Sequence, residues 1–224
     1  MQRKQFLQLC TASLITPWLA RAQERVTDPQ VALRLLQEGN QRYVSALKTG
    51  GTGRGAERRS QLTQTQRPHA IILSCADSRV APEVFFDSGI GELFVVRVAG
   101  NIVSGSNYGI VGSLEYGAAV LEAPLLLVLG HENCGAVKAA LDTMARKQVL
   151  PGAIEDIVES IRPAAIAVEG RPGDALHNAM EENVRVGMSR LKSMSTILSE
   201  RLASGKLVMR GGVYDLESGK VNFL

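Results

Sequence analysis

Two apolar runs, each ending abruptly in polar and metal-competent residues, constrain this chain more than any other feature. Ile71-Ile72-Leu73 leads into Ser74-Cys75-Ala76-Asp77-Ser78-Arg79, and farther along Leu125 to Leu129 leads into Gly130-His131-Glu132-Asn133-Cys134-Gly135. A run that is apolar at every position predicts a strand buried on both faces, as in a parallel sheet. Open parallel sheets build their sites at the carboxyl ends of the strands, and both runs deliver Cys or His at that end.

Cys75, His131 and Cys134 would give zinc two thiolates and one imidazole, with a fourth position open for chemistry. Charged, polarisable sulfur suits zinc. Two thiolates and a neutral imidazole make a neutral centre that can hold water and lower its pKa toward about 7. The spacing predicts that Cys134 starts a helix, whose N-terminus favours a thiolate. Isolated Cys and His more often fill a core; here both cysteines follow apolar strands and sit beside polar groups, which favours the metal. Asp77 and Arg79 fall on one side of the chain if the backbone stays extended. A bidentate pair would keep Asp77 ionised and oriented, so that its carboxylate could accept a hydrogen bond from a metal-bound water. A structural salt bridge is an equal reading of the same spacing. His131-Glu132-x-x-Gly135 lacks the second His of a zinc-protease helix, and His177, alone in a predicted helix, reads as a surface or satisfied core histidine.

Along the rest of the chain, Asp28-Pro29 is a helix start, and the apolar spacing after it predicts a helical arm over 29–47. Residues 49–67 read as a loop or short polar helix. Gly51 to Gly55 lacks the Lys-Ser/Thr ending of a phosphate loop and reads as solvated. Strands are expected at 69–75, 93–98, 125–129 and 206–209, and helices at 82–86, 109–121, 135–147, 153–169 and 174–203. A final hairpin joins 213–216 to 221–224. This order argues for an α/β fold: a mainly parallel β-sheet flanked by helices, with an N-terminal helical arm and a C-terminal β-hairpin.

Residues 1–22 read as an export signal, with Arg3-Lys4 ahead of a mostly apolar stretch and Ala20-Arg21-Ala22 as a cleavage signal. Arg3-Lys4-Gln5-Phe6-Leu7 resembles a twin-arginine signal with Lys in the second place. The stretch is too interrupted for a stable membrane span. Residues 23–224 then form a single catalytic domain, exported to the periplasm, or cytoplasmic if the leader is not used. The leader holds all the excess charge: of 25 basic residues three lie in it, leaving 22 against 22 acidic. A neutral body with 4% aromatic residues gives no reason to expect nucleic acid. Of three cysteines, Cys10 would leave with the leader. An oxidising compartment could instead pair Cys75 with Cys134 as a disulfide, which would make a zinc- or redox-sensing protein without turnover.

Ser74-Cys75-Ala76-Asp77-Ser78-Arg79-Val80, Gly91-Glu92-Leu93-Phe94-Val95-Val96-Arg97, Ala99-Gly100-Asn101 and Gly130-His131-x-x-Cys134-Gly135-Ala136-Val137 together resemble the β-class carbonic anhydrases. The resemblance covers nearly all of 30–224. It implies reversible hydration of CO2 to bicarbonate and a proton by zinc-bound hydroxide. One zinc ion per chain would sit on Cys75, His131 and Cys134, with the Asp77–Arg79 dyad beside it. By spacing from the ligands, the family's substrate-binding residues become Gln66, Phe94 and Tyr116, together with Gly135. In the family the Gln reaches the neighbouring subunit's site, so a homodimer or a multiple of dimers is implied. Some members bind regulatory bicarbonate through a Trp at the position of Ile72. Its replacement implies that Asp77 stays on Arg79 and that allosteric bicarbonate inhibition is absent. Relatives of this fold that hydrolyse carbon disulfide or carbonyl sulfide use the same ligands and are the alternative within enzymes. No histidine is assigned as a proton shuttle.

Overall fold

The computed structural model describes residues 25–45, 55–105 and 108–224. The export segment, Cys10 and residues 51–54 of the glycine-rich stretch lie outside the described residues. Five strands form one sheet: β1 (Ala70–Ser74), β2 (Leu93–Arg97), β3 (Leu125–His131), β4 (Val208–Tyr214) and β5 (Val221–Phe223). Their order is β2-β1-β3-β4-β5, with β5 alone antiparallel. Around it lie α1 (Pro29–Val44), α2 (Ala56–Gln61), α3 (Pro82–Phe85), α4 (Tyr108–Ala119), α5 (Gly135–Arg146), α6 (Ile154–Ala167), α7 (Ala175–Met194) and α8 (Thr196–Ala203). The mainly parallel α/β sheet, helical arm and terminal hairpin expected from the sequence are all present.

Every residue of β1 and β3 is buried, because side chains alternate between two covered faces. On one face Ile71, Leu73, Leu126 and Val128 meet Leu114 of α4, Val184 and Leu191 of α7 and Leu198 of α8. On the other, Ile72, Leu125, Leu127 and Leu129 meet Ala32 and Leu36 of α1 with Phe85 and Phe86. Each fully buried aliphatic side chain contributes about 1.5–3 kcal/mol relative to exposure. A third cluster, with Cys75, Cys134, Val137, Ile161 and Met180, closes around the carboxyl ends of β1 and β3.

Asp28 caps α1 by accepting from the Gln30 N–H at 2.8 Å. Gly39 lets this helix close on the end of α3: a Cβ there would stand 2.0 Å from the Phe86 carbonyl oxygen. Next to it, buried Asn40 donates to the carbonyls of Phe85 (3.0 Å) and Gly219 (2.8 Å) and accepts from the Val221 N–H (2.9 Å). One side chain thus fastens the arm to the terminal hairpin.

Two element boundaries differ from expectation. Residues 206–209 and 213–216 were expected as separate strands, but β4 runs unbroken through Gly211-Gly212. Gly211 admits α7 rather than a turn, since a Cβ there would lie 2.8 Å from Val184 Cγ1, while a Cβ on Gly212 would crowd Val221 of β5 at 3.3 Å. The expected helix 174–203 is two helices. Ser195 leaves helical geometry and caps α8 by accepting from the Leu198 N–H at 3.0 Å. The polar stretch before β1 contributes α2, which buries none of its residues. Among the described residues no helix is long and apolar enough to cross a membrane.

Candidate metal centre

Parallel register sets Ser74 opposite Leu129, so β1 and β3 finish side by side. Cys75 follows β1, His131 is the last residue of β3, and Cys134 is the N-cap of α5. Their ligand atoms all lie within 4.8 Å of one another, and the three residues are at most 4% exposed. His131 Nδ1 lies 2.9 Å from the Glu132 carbonyl oxygen. A carbonyl only accepts, so Nδ1 carries the proton and Nε2 presents a lone pair. That Nε2 is buried with no hydrogen-bond partner, an orphan acceptor facing two sulfurs. Two soft sulfurs and one imidazole nitrogen, closed from solvent, fit zinc.

The sulfurs differ electrostatically. The Cys75 thiol is pulled down, first by the hydrogen bond from Cys134 and then, against the cost of burial, by the N–H groups of Asp77 and Gly100. Those amides stand 3.4 and 3.3 Å from the sulfur. Cys134 is pushed up by donating to Cys75 and by burial, which the amides of Val137 and Ala136 only partly oppose. Both thiols are free.

Asp77 and Arg79 pair as expected, by a different backbone route. The segment turns instead of staying extended: the Val80 N–H donates to the Asp77 carbonyl at 3.0 Å. In that turn the Arg79 N–H donates to Asp77 Oδ1 at 2.9 Å, as short acidic side chains do for the residue two positions on. Arg79 adds a fork, Nε to Oδ1 at 2.9 Å and an Nη to Oδ2 at 2.7 Å. The Arg79 side chain, and then its N–H, hold the Asp77 carboxyl well below the usual carboxylate range. Asp77 Oδ2 lies 3.9 Å from His131 Nε2, beside the ligand cluster and turned toward Arg79.

Several supports carry no signal that the sequence alone could rank. Arg97 donates to the carbonyls of Cys75 (3.1 Å) and Asp77 (2.7 Å), fixing the segment between them. Gly100 supplies its N–H from a left-handed conformation, φ +69°. His177, expected as solitary, is tied to the loop between the ligands: its Nδ1 is 2.8 Å from Glu132 and its Nε2 is 3.4 Å from Glu181. Glu132 chiefly, then Glu181, raises its pKa. Beside the dyad, a cleft of about 440 Å3 is lined by Arg79, Glu132, Asn133, Asp215, Leu216 and Glu217.

Of the four residues expected to bind substrate, Gly135 alone adjoins the centre, as the first residue of α5. Phe94 sits opposite Ile71, four positions before Cys75 and so roughly 13 Å down the strand. It packs near Tyr116, ring centroids 6.1 Å apart, and Tyr116 is 47% exposed. Gln66 is exposed ahead of β1. A single chain does not bring these three to its own ligands.

A family model described as carbonic anhydrase matches residues 70–221. The carbonic anhydrase of Mycolicibacterium smegmatis is 37% identical over 195 residues, covering 87% of this chain and 93% of that protein. The solved structure of the β-carbonic anhydrase CcaA is similar with a TM-score of 0.68 at 27% identity, over 87% of this chain and 92% of that one. Tetrameric β-carbonic anhydrases from Sordaria macrospora share the fold, with a TM-score of 0.67 at 19% identity over 87% of this chain and 96% of that one.

Proposed function

This chain belongs to the β-carbonic anhydrase family, and we propose that Cys75, His131 and Cys134 hold one zinc ion at which it hydrates CO2 reversibly to bicarbonate and a proton. The observation that carries the proposal is the buried, partnerless Nε2 of His131 within 4.8 Å of two cysteine sulfurs. Zinc held there would supply a Lewis acid that makes water nucleophilic near neutral pH.

The chain's own residues do the rest. Arg79 holds Asp77 ionised and fixes both carboxylate oxygens. A carboxylate that cannot donate forces a neighbouring water to donate to it, which leaves that water's lone pair free to face the substrate carbon. Arg97 keeps Cys75 and Asp77 in fixed relation by bonding both carbonyls. Gly135 leaves space beside Cys134, since a Cβ there would meet nothing within 4 Å.

The pocket is completed by a second copy, so that Gln66, Phe94 and Tyr116 act at a neighbour's centre in a homodimer or a multiple of dimers. The exposure of Tyr116 and Gln66 supports this. Residues 1–22 direct export to the periplasm; a mature chain beginning near Gln23 in a periplasmic fraction is the expected result. Ile72, fully buried in the core, takes no part in binding bicarbonate, and inhibition by bicarbonate should be simple rather than cooperative.

Stopped-flow CO2 hydration with zinc quantified in the same sample tests the reading. Rapid turnover with about one zinc per chain is expected. One zinc with turnover only of carbon disulfide or carbonyl sulfide, or no zinc and a Cys75–Cys134 disulfide, would overturn it.

A further inference from the structure

Asn183 is an unexpected residue where it stands. It lies on the face of α7 that buries Ala179, Met180, Val184, Gly187 and Leu191 and is itself only 3% exposed. A primary amide in such a place costs stability unless it is hydrogen-bonded. Its Nδ2 donates to the carbonyl oxygen of Gly100 at 2.8 Å.

Gly100 is held on its other side by the centre itself, since its N–H donates to Cys75 Sγ at 3.3 Å. The residue has no freedom to be anything else: a Cβ at φ +69° would lie 2.7 Å from Ile161 Cδ1 and 3.1 Å from the Ala136 Cβ. The Gly100 carbonyl and N–H are thus pinned from opposite directions, one by α7 and one by the sulfur.

We infer that Asn183 is a positioning residue for the metal centre, which acts through Gly100 by aiming its N–H at the Cys75 sulfur. This rests on the reading of Cys75 as a metal ligand. Without the amide, the Ala99–Asn101 turn loses its anchor to α7, and the sulfur keeps a single backbone donor, Asp77 at 3.4 Å. Two consequences follow at the sulfur. Its direction is less fixed, which weakens metal binding. It also gives up less electron density to hydrogen bonding, which raises the energy of its lone pairs. A partner bonded directly to a metal ligand, as the Gly100 N–H is, typically governs about 10–100-fold in metal affinity; Asn183 stands one hydrogen bond farther out, so its removal falls at the lower end of that range.

The test uses the full chain loaded with Co2+, whose sulfur-to-metal charge-transfer band reports on the thiolates, and with Zn2+ in competition against a chelator. Asn183→Leu keeps the volume without the donor. Asn183→Ser is smaller and too short to reach Gly100, and gives the same information should the leucine variant not fold. Asn40→Leu is the control, because Asn40 is also buried and bonded, but to Phe85, Gly219 and Val221. The expected result is a charge-transfer band moved to longer wavelength and zinc affinity weaker by about tenfold, the lower end of the range for a ligand's direct partners, in the Asn183 variants. Asn40→Leu should lower Tm and leave the band in place. Asn183 variants with a lowered Tm but an unshifted band and unchanged affinity would overturn the inference and leave the metal site standing. A wild-type chain with no sulfur-to-cobalt band would remove the metal site, and the inference with it.

Discussion

The metal-ligand cluster and the expected substrate residues occupy different parts of one sheet and are built in opposite ways. At the carboxyl ends of β1 and β3 everything needed is internal: three ligands at most 4% exposed, their orientation fixed by neighbouring backbone groups. Along β2 and α4, Phe94 and Tyr116 lean on each other, and Tyr116 is left 47% exposed. The first region is decided by parallel register within a chain. The second is a surface, and its chemistry is decided by what comes to lie against it. On the proposed reading, one chain holds the metal by itself, and the substrate pocket is completed only by a second copy.

The strongest way to break that contrast is to remove a ligand. Cys75→Ser and His131→Ala should each lose bound zinc and reduce CO2 hydration to the uncatalysed rate, measured by metal analysis and stopped flow. Asp77→Asn tests the centre without touching a ligand. It keeps the shape and loses the charge, so kcat should fall about 10²–10⁴-fold with zinc content unchanged. Retained turnover would make the Asp77–Arg79 pair a structural salt bridge only.

The exposed region predicts a smaller and different effect. Tyr116→Ala should lower kcat/KM about tenfold, the scale of one well-buried interface side chain, with zinc unchanged. Mixing it with Cys75→Ser sharpens the contrast. In a hybrid, the centre of one chain meets the intact aromatic surface of the other, so activity should exceed the sum of the two separate samples. A strictly additive mixture would show that each chain serves its own site.

The pH responses of the two charged clusters have opposite signs. Arg79 depresses the Asp77 carboxyl, so the stability of that pair is complete above the unfolded carboxylate value, about 3.9, and is lost as pH falls through the lower folded value. Glu132 raises the His177 pKa, so that contribution is complete below about 6.5 and is lost as pH rises through the folded value. His177 is 45% exposed, and solvent screening makes its effect the smallest here. Glu132→Gln should move the His177 titration, followed by its ring-proton resonances, to lower pH. An unmoved titration would deny the pairing.

The Cys75, His131 and Cys134 cluster and the strands that carry it were legible in the sequence because both are encoded locally. Apolar runs announce burial, and Cys and His announce soft donors wherever they stand. The Asp77–Arg79 spacing was legible too, though an extended backbone was expected where a turn makes the pair. What escaped is carried by backbone groups and distant partners. The direction of the Gly100 N–H, the reach of Arg97 to two carbonyls, and the meeting of Glu132 with His177 leave no mark on residue type. Gly211-Gly212 misled for the same reason. Glycine reads as a break in a strand, whereas here Gly211 answers to a helix more than twenty positions earlier in the chain.

Asn40 has a consequence for how the molecule is made. Its bonds to Gly219 and Val221 span 179 and 181 positions, so α1 leaves the ribosome long before the hairpin groups that fasten it exist. Until residue 221 emerges, the apolar side of the arm has no closed seat, and contacts of such separation form late because loop closure must come first. The interval between the two is when a holding factor would be of most use, and a stalled chain ending before the hairpin should be far more open to protease at α1 than the finished one.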